Sequence, residues 1–315
     1  MFEAVLAEIR KHDTIIIHRH KNADGDASGS QIGLMHLIMD NFPEKKVFVV
    51  GDPATKYDTI AEKSMDIIDS SVYSGALAII VDTPSVGLLC DDRYALADRT
   101  VRFDHHLFSG QIADVEVIEP TYESCAGLIT DFAIECGLTI SSRSASALFM
   151  GTVTDSGRFR FDSISVGTFR RAAILMQAGI DVNSIYRSLY TTDIGFLKLK
   201  ARFMQDFELT EHNVAYYYVQ SSRLDMMGIN AHTATRAFVN VMADLEGVHI
   251  WVAFAENAAT GNVECEIRSS DIVVCPVAVK YGGGGHEKAC GATVPDRETA
   301  MAMLADLDRM AADIG

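Results

Sequence analysis

The sequence is short of the features that mark several common protein classes. Its six cysteines include no CxxC pair, which argues against a disulfide scaffold or a zinc–thiolate site. No apolar run approaches the roughly 20 residues that span a bilayer, and the N-terminus has no basic flank before an apolar core. The sequence therefore predicts a cytoplasmic protein with no membrane partner.

Positive charge is also scarce. The chain has 27 Lys and Arg against 43 Asp and Glu, a formal net charge of −16. This balance argues against long nucleic acid bound along a basic stripe, because phosphate neutralisation supplies most of that binding. A short nucleic acid or a small phosphorylated ligand still fits, provided that cationic groups or metals are concentrated locally. The chain also has no Gly-x-Ser-x-Gly, Walker lysine or Gly-x-Gly-x-x-Gly motif, which argues against serine hydrolases, P-loop NTPases and Rossmann dehydrogenases.

The first half of the chain alternates apolar runs with helical patterns. The runs predict strands at 14–17, 47–50, 76–81 and 100–103, and the spacing of apolar residues predicts a helix over 28–42. Continuous apolar strands separated by helices are typical of parallel sheets that are covered on both faces. We therefore expect an α/β fold with a doubly wound, mainly parallel sheet.

The second half has a different character. Helical patterns dominate from about 123 to 205, and strands are predicted at 214–219, 249–255 and 262–268, with a short strand near 291–294 and a closing helix from about 297. At 315 residues the length favours about two domains. The predicted boundaries are a first domain over 1–188, a helical connector over 189–208 and a smaller C-terminal α/β domain over 209–315.

Polar, metal-capable residues follow three of the predicted strands, and ligands of a doubly wound sheet bind at the carboxyl ends of its strands. These residues are His20, Asp24 and Asp26 after the first strand, Asp82 after the third, and Asp104, His105 and His106 after the fourth. A further aspartate, Asp155, lies among small residues that would let a helix end approach this edge closely. We therefore expect all of these side chains to meet in one site.

Crowded carboxylates repel one another, and a pair of divalent cations would supply the missing charge. The donors are carboxylate oxygen and imidazole nitrogen without thiolate, which favours manganese, with magnesium or cobalt as alternatives, over a structural zinc. Two cations roughly 3.5–4 Å apart are a recurring device for hydrolysing phosphate esters. Taken singly, each element stays ambiguous: Asp82 could be a turn residue, Gly282–Gly285 a flexible turn, and Arg268 an exposed arginine at a strand end.

The ordered motifs resemble those of the DHH phosphoesterase superfamily, named after the triplet seen here at 104–106. The glycine-rich Gly282–His286, followed by Ala289–Ala292, is similar to the motif of the DHH-associated substrate-binding domain (type 1). The resemblance spans nearly the whole chain. It implies the same two-domain α/β architecture, with the metals on the first domain and the glycine-rich motif on the second.

The resemblance also implies a role for each residue. One metal would be held by His20, Asp24 and Asp82, and the second by Asp26, Asp82, His105 and Asp155, so that Asp82 bridges the two. His106 would face the substrate phosphate, and Asp104 would orient the neighbouring histidines. The substrate would be bound in the second domain by Arg268, Gly283, Gly284, Gly285 and His286.

At the level of function, the chain resembles the oligoribonuclease and pAp-phosphatase type of this superfamily. That type releases nucleoside monophosphates from very short RNAs and removes the 3′-phosphate of adenosine 3′,5′-bisphosphate (pAp), so short RNA or a small nucleotide is the expected substrate. One alternative is hydrolysis of linear dinucleotides such as pApA from cyclic-dinucleotide signalling. Another is a catalytically silent nucleotide sensor. Relatives of this architecture are often homodimers.

Overall fold

The computed structural model describes residues 2–53 and 55–312. The chain forms two compact units, Met1–Thr191 and Thr192–Gly315. No helix in the described part of the chain is long and apolar enough to cross a membrane. The predicted boundaries at 188 and 208 stay a prediction.

The first unit is an α/β structure around a five-stranded sheet. Its strands are β1 (Thr14–His18), β2 (Lys46–Val49), β3 (Leu77–Val81), β4 (Arg99–Asp104) and β5 (Val115–Ile118). Its α-helices are α1 (Glu3–Lys11), α2 (Gly25–Asn41), α3 (Lys56–Ile60), α4 (Cys125–Glu135), α5 (Ser142–Asp155), α6 (Val166–Gln177) and α7 (Val182–Tyr190).

The sheet has the order β2-β1-β3-β4-β5, and all of its described pairings are parallel. Every residue of β3 is buried, as its uninterrupted apolar sequence predicts for a strand covered on both faces. The predicted α/β fold class is confirmed.

The two faces of this sheet are covered differently. Ile15 and Ile17 of β1 belong to a large apolar cluster to which α1, α2, α4 and α5 contribute. Ile16, which points to the opposite face because side chains alternate along a strand, belongs to a small cluster with Tyr73. Tyr73 ends the 3₁₀ turn Ser70–Tyr73, so short turns help to cover the second face, a detail that the apolar pattern did not reveal.

The second unit is built on a six-stranded mixed sheet. Its strands are β6 (Glu208–Leu209), β7 (Ala215–Val219), β8 (Ile250–Glu256), β9 (Val263–Ser269), β10 (Gly284–His286) and β11 (Ala289–Val294). Its α-helices are α8 (Ile194–Asp206), α9 (Ser221–Met227), α10 (Ala231–Phe238), α11 (Cys275–Lys280) and α12 (Arg297–Ala312). The order is β10-β11-β9-β8-β7-β6, and β7 with β8 is the one parallel pair among the described strands of this second sheet.

Two apolar clusters cover the opposite faces of this second sheet. Phe254 of β8 packs in one cluster together with Leu307 of α12, whereas Trp251 lies in the other. Helix α8 contributes Phe203 to that second cluster, and the Phe203 ring stacks on Phe238 of α10 at 4.6 Å between ring centroids. Most of the region predicted as a connector therefore packs as part of the second unit.

Candidate active site

Three adjacent strands of the first sheet end at the same edge, and each is followed by polar side chains. His20 lies two residues after β1, Asp82 follows β3 directly, and His105 follows β4. Strand β1 has β2 on one side and β3 on the other. After β2 the chain therefore crosses to the opposite side of β1, and the strand order reverses at the boundary between β1 and β3. Ligands of open parallel sheets bind at such a point.

The N-terminus of α2 carries two further carboxylates. Asp24 caps the helix by accepting the backbone N–H groups of Asp26 and Ala27, both at 3.0 Å. The Asp26 side chain is buried and accepts the N–H of Cys125 at 2.7 Å and of Ala126 at 3.0 Å. These amides open α4, so two helix N-termini stabilise negative charge at this place.

Close packing of α2 against α5 brings Asp155 to the same site. A Cβ atom on Gly25 would lie 2.3 Å from Thr154 Oγ1, and one on Gly29 would lie 2.5 Å from the Ala147 carbonyl oxygen. Both glycines are therefore required for this approach. The close approach of α2 and α5 places Asp155, the last residue of α5, beside His105, with 3.3 Å between Asp155 Oδ2 and His105 Nε2.

Asp82 lies at the centre of the cluster. Its Oδ2 is 3.6 Å from His20 Nε2, and its Oδ1 is 3.5 Å from His105 Nε2 and 3.6 Å from His106 Nδ1. The residue is 2% exposed and has a left-handed backbone with φ of 50°. Aspartate tolerates this conformation better than most residues. The left-handed backbone turns the chain sharply at the end of β3.

Three overlapping groups result, each with ligand atoms within 4.8 Å of one another. The groups are His20, Asp24 and Asp82; Asp26, His105 and Asp155; and Asp82, His105 and His106. Asp82 joins the first group to the third, and His105 joins the third to the second. The structure thus brings together the six residues that sequence predicted as metal ligands, together with His106.

Backbone carbonyl groups orient two of the imidazoles. His20 Nδ1 lies 2.8 Å from the Lys21 carbonyl oxygen, and His105 Nδ1 lies 3.2 Å from that of Tyr122. With Nδ1 directed at a carbonyl oxygen, Nε2 of each ring faces the carboxylates and is the atom that would bind a cation. Metal-ligating histidines almost always make such a hydrogen bond from their other ring nitrogen.

His106 has a different environment. Its Nδ1 lies 2.7 Å from Asp104 Oδ1, which also accepts the His106 backbone N–H at 3.1 Å. The Asp104 carboxylate is buried and also accepts a hydrogen bond from Arg102. Sequence reasoning missed Arg102, although its position two residues before Asp104 puts both on one face of β4. The triplet thus separates into His105, which faces the other carboxylates, and His106, which is held by Asp104.

The pKa values of the site residues are shifted by the crowding of negative charge. Burial, together with the charges of Asp82 and Asp155, raises the pKa of Asp26 well above its usual range. Burial likewise raises the pKa of Asp155 to about 7, with Asp82 adding to the shift and His105 opposing it. Burial lowers the pKa of His20, but its contacts with Asp24 and Asp82 outweigh this and raise it to about 10. Without a cation, the environment therefore favours the protonated forms of Asp26 and Asp155.

The donor set fits divalent cations. Asp82 Oδ1 is buried and has no hydrogen-bond partner among the described residues, and an orphaned carboxylate oxygen in such a place calls for a ligand. The donors are carboxylate oxygen and imidazole nitrogen, the set that suits manganese and related ions. The nearby Cys125 thiol is not part of it, because burial and the carboxylates raise its pKa well above normal.

In the second unit, the glycine-rich run forms the turn after α11 and the edge strand β10. Gly282 has φ of 79° and Gly285 has φ of 138°, so both occupy conformations that favour glycine. A Cβ on Gly283 would lie 2.1 Å from the Gly291 carbonyl oxygen, whereas one on Gly284 would have no atom within 4 Å. Three of the four glycines thus have a structural reason, and Gly284 alone has neither a positive φ nor a close contact at the position of a Cβ.

Arg268 lies on β9, next to the hairpin of β10 and β11, and its register partner is Ala289. Its guanidinium donates to Glu266 Oε1 at 2.6 Å and to the Ile267 carbonyl oxygen at 2.9 Å. His286, the last residue of β10, is exposed. The role of Arg268 in substrate binding, which the resemblance implies, stays a prediction, and in the structure its charge is shared with the buried carboxylate of Glu266.

Comparison with known proteins gives matches across both units. The family model described as the DHH family, N-terminal domain, matches residues 14–152, and the DHHA1 domain matches residues 212–313. The bifunctional oligoribonuclease and PAP phosphatase NrnA of Bacillus subtilis is 30% identical over 309 residues, 97% of each chain. The probable NrnA of Streptococcus mutans is 32% identical over 291 residues, 92% of this chain and 93% of its own length.

A solved structure supports the same fold. The exopolyphosphatase-related protein of Bacteroides fragilis superposes with a TM-score of 0.87 at 22% identity, covering 99% of this chain and 96% of its own. The first family model spans the strands and helices that carry His20, Asp24, Asp26, Asp82, Asp104, His105 and His106, and the second spans the glycine-rich run. The chain therefore belongs to the DHH phosphoesterase family, with a DHHA1 domain as its second half.

Proposed function

We propose that this protein is a metal-dependent phosphoesterase that releases nucleoside monophosphates from short oligoribonucleotides and removes the 3′-phosphate of pAp. The observation that carries the proposal is the pair of ligand groups linked through Asp82 and His105 at the switch point of the sheet. The substrate class is supported by relatives that are named for these two activities and that align over nearly their full length.

Two divalent cations would be held at this edge, one by His20, Asp24 and Asp82 and the other by Asp26, Asp82, His105 and Asp155. Manganese is the cation that we propose, with magnesium or cobalt as alternatives. Such a pair supplies an activated water molecule and neutralises charge on the phosphoryl oxygens. The chain contributes the spacing, through Asp82, and the orientation of each imidazole, through the carbonyl oxygens of Lys21 and Tyr122.

His106 would bind the substrate phosphate. Its hydrogen bond with Asp104 raises its pKa above the usual value against the opposing effect of burial, which favours the protonated, positively charged ring. With Nδ1 held by Asp104, Nε2–H is the donor available to a phosphoryl oxygen or a leaving oxygen. A charged donor that is fixed before the reaction stabilises charge that develops in the transition state.

The second domain would bind the part of the substrate beyond the scissile phosphate. Edge strand β10 presents backbone groups on its outer side that no described strand pairs. Gly284 leaves the space above this edge open, so a phosphate could approach the backbone N–H groups closely. Arg268 and His286 would add charged donors to the glycine residues Gly283, Gly284 and Gly285.

A turnover panel with manganese tests the proposal. We expect hydrolysis of pAp, pApA and RNAs of a few nucleotides, and loss of all three activities in Asp82→Asn. Relative rates on pAp, pApA and short RNA rank the substrates, including the cyclic-dinucleotide alternative. Hydrolysis of pyrophosphate alone would overturn the substrate class, and tight nucleotide binding without turnover would identify a sensor instead. Repeating the panel with magnesium and cobalt identifies the preferred cation.

Three further parts of the proposal concern the whole chain: a homodimer, a cytoplasmic location, and domain boundaries at 1–188 and 209–315 with a helical connector at 189–208. Light scattering in solution measures the oligomeric state, and cell fractionation measures the location. Limited proteolysis measures the boundaries, because cleavage concentrates in exposed segments between domains. Cleavage confined to sites outside 189–208 would contradict the connector.

A further inference from the structure

The loop that follows the triplet at 104–106 exposes two apolar side chains next to the candidate metal ligands. Leu107 is 81% exposed and Phe108 is 63% exposed, and both come directly after His106 in the chain. Single apolar residues are common on protein surfaces, but a group of them beside a cleft marks a place where a ligand or a partner binds.

The neighbouring loop, which follows β3, adds to this apolar surface. It contains a short 3₁₀ turn in which Val86 and Leu88 are exposed. The two loops are joined, because the Ser109 hydroxyl donates a hydrogen bond to the Pro84 carbonyl oxygen. We call the exposed apolar side chains of both loops the apolar rim: Val86, Leu88, Leu107 and Phe108.

Arg102 connects the loop after β4 to His106. Its guanidinium donates to the Gly110 carbonyl oxygen at 3.3 Å and also to Asp104, which binds His106 Nδ1. The arginine is fully buried, so water does not compete for these contacts. The loop is therefore held in place, with Phe108 two residues from the side chain that would bind the substrate phosphate.

The two parts of a nucleotide match the two parts of this region. The phosphate is charged and would be bound by the cations and by His106, whereas the base is uncharged and aromatic. Phe108 is the aromatic member of the apolar rim, and none of the rim residues carries a charge. Bases stack on aromatic side chains of nucleic-acid-binding proteins, and the interaction does not depend on hydrogen bonds to a particular base.

We propose that Phe108 is the stacking platform for the nucleobase next to the scissile phosphate, with the rest of the apolar rim around that base. This inference rests on the proposed function, because it identifies a part of the substrate that the first unit would bind beside the cations. Since every base has a π-face, it predicts that substrates with all four bases are accepted. Purines should be preferred, because their face is larger than that of pyrimidines.

Tryptophan fluorescence tests the stacking directly. The chain has one tryptophan, Trp251, which is buried in the second unit, so Phe108→Trp adds an exposed reporter. Magnesium is the cation for this measurement, because paramagnetic manganese can quench fluorescence by itself. We expect AMP to quench the added emission and ribose 5-phosphate, which lacks the base, to leave it unchanged. The matched control is Phe169→Trp, at a residue of α6 that is 56% exposed, and its emission should not respond to AMP.

Inhibition of pAp hydrolysis by the same two ligands tests the contribution of the ring. We expect Phe108→Ala to raise the inhibition constant of AMP about tenfold, in the range found for the loss of one stacked base. The inhibition constant of ribose 5-phosphate should stay the same. Phe108→Trp keeps an aromatic face and should restore the wild-type constant for AMP, and Phe169→Ala is the control for the loss of an exposed ring.

Three results would each overturn the inference. They are unquenched emission in Phe108→Trp, quenching by ribose 5-phosphate that equals quenching by AMP, and an unchanged inhibition constant for AMP in Phe108→Ala. Equal weakening of both ligands in Phe108→Ala would also overturn it, because the ring would then only hold the loop in place. The fluorescence result does not depend on turnover. The proposed function fails separately, if the wild-type protein with manganese hydrolyses none of pAp, pApA and short RNA.

Discussion

The candidate sites of the two units lie at the edges of their sheets but are built from different parts of the chain. In the first unit the donors are side chains at strand ends, centred on Asp82. In the second unit the glycine-rich edge offers backbone groups, and the charged side chains are paired through Glu266. A metal site requires particular side chains. A site made of backbone groups requires positions without side chains, and the fold can require glycine at such positions for packing or for backbone conformation alone. The first kind of site is therefore easier to recognise in a sequence.

The largest expected effect is at Asp82. Asp82→Asn keeps a residue that tolerates the left-handed backbone but removes the charge that two ligand groups share. We expect turnover of pAp and pApA with manganese to fall by about 10³-fold or more, with the circular dichroism spectrum unchanged. Asp98→Asn, at an exposed aspartate paired with His12, is the control. Turnover within a few-fold of wild type in Asp82→Asn would contradict the central role of this residue.

A second prediction separates the members of the triplet. Asp104→Asn weakens the hold on His106 Nδ1 and lowers the pKa of that ring, so its proton is lost at a lower pH. We expect kcat/KM to fall about 10- to 100-fold and the high-pH limb of its pH profile to move to lower pH. His106→Gln keeps the buried pair of Arg102 and Asp104 and should lose activity without losing stability. An unmoved limb in Asp104→Asn would show that His106 does not act as a proton-bearing group.

Two adjacent glycines test the edge of the second unit. Gly283→Ala would bring a Cβ to 2.1 Å from a carbonyl oxygen, so we expect a loss of about 1–3 kcal/mol of stability. Gly284→Ala meets no atom within 4 Å, so stability should change by less than about 0.5 kcal/mol, while the methyl group obstructs the substrate and raises KM. Denaturant unfolding and steady-state kinetics measure both. An unchanged KM in Gly284→Ala would show that this edge does not contact the substrate.

The smallest expected effect is a pH dependence of stabilisation by metal. Because the pKa of Asp155 is raised to about 7, the stability that its neutral form gives to the metal-free protein is complete below its usual value of 3.8 and is lost as pH rises through 7. A cation needs the carboxylate. The rise in Tm on adding manganese should therefore grow by a few degrees between about pH 5 and about pH 8.

Asp155→Asn is the matched variant for this measurement, since it removes the titrating group and keeps its shape. We expect a flatter dependence of the manganese-induced Tm shift on pH. A shift that is equally steep in the variant and in the wild type would assign the titration to another group.

The first unit could be predicted well because its signals are local. The run at 76–81 is apolar enough to indicate a buried strand, and the structure places β3 at Leu77–Val81. The predicted helix over 28–42 begins earlier, at Gly25, because Asp24 caps it. Strand β5, at Val115–Ile118, was missed because it is short, largely half-buried and carries a glutamate, so its sequence has little apolar signal.

The remaining parts depend on contacts between distant residues. Glycine has a low strand propensity, and β10 exists because Gly284–His286 pairs with β11. Arg236 Nε lies 3.7 Å from Glu266 Oε2, but the two residues are 30 positions apart in sequence, and nothing local in either one indicates the other. The residue types of the metal cluster could be inferred from their order after strands, but the position of Asp82 between two groups emerges only when β1, β3 and β4 lie side by side.

The position of Asp82 has a consequence for how the cations would load. Its Oδ2 faces His20 and its Oδ1 faces His105 and His106, so one carboxylate serves two binding events. Whichever cation arrives first neutralises and orients the group that the other needs. The binding isotherm therefore reports two macroscopic constants that belong to the pair, as for two coupled protons, and a substitution on one side, such as at Asp24, should shift the affinity measured on the other.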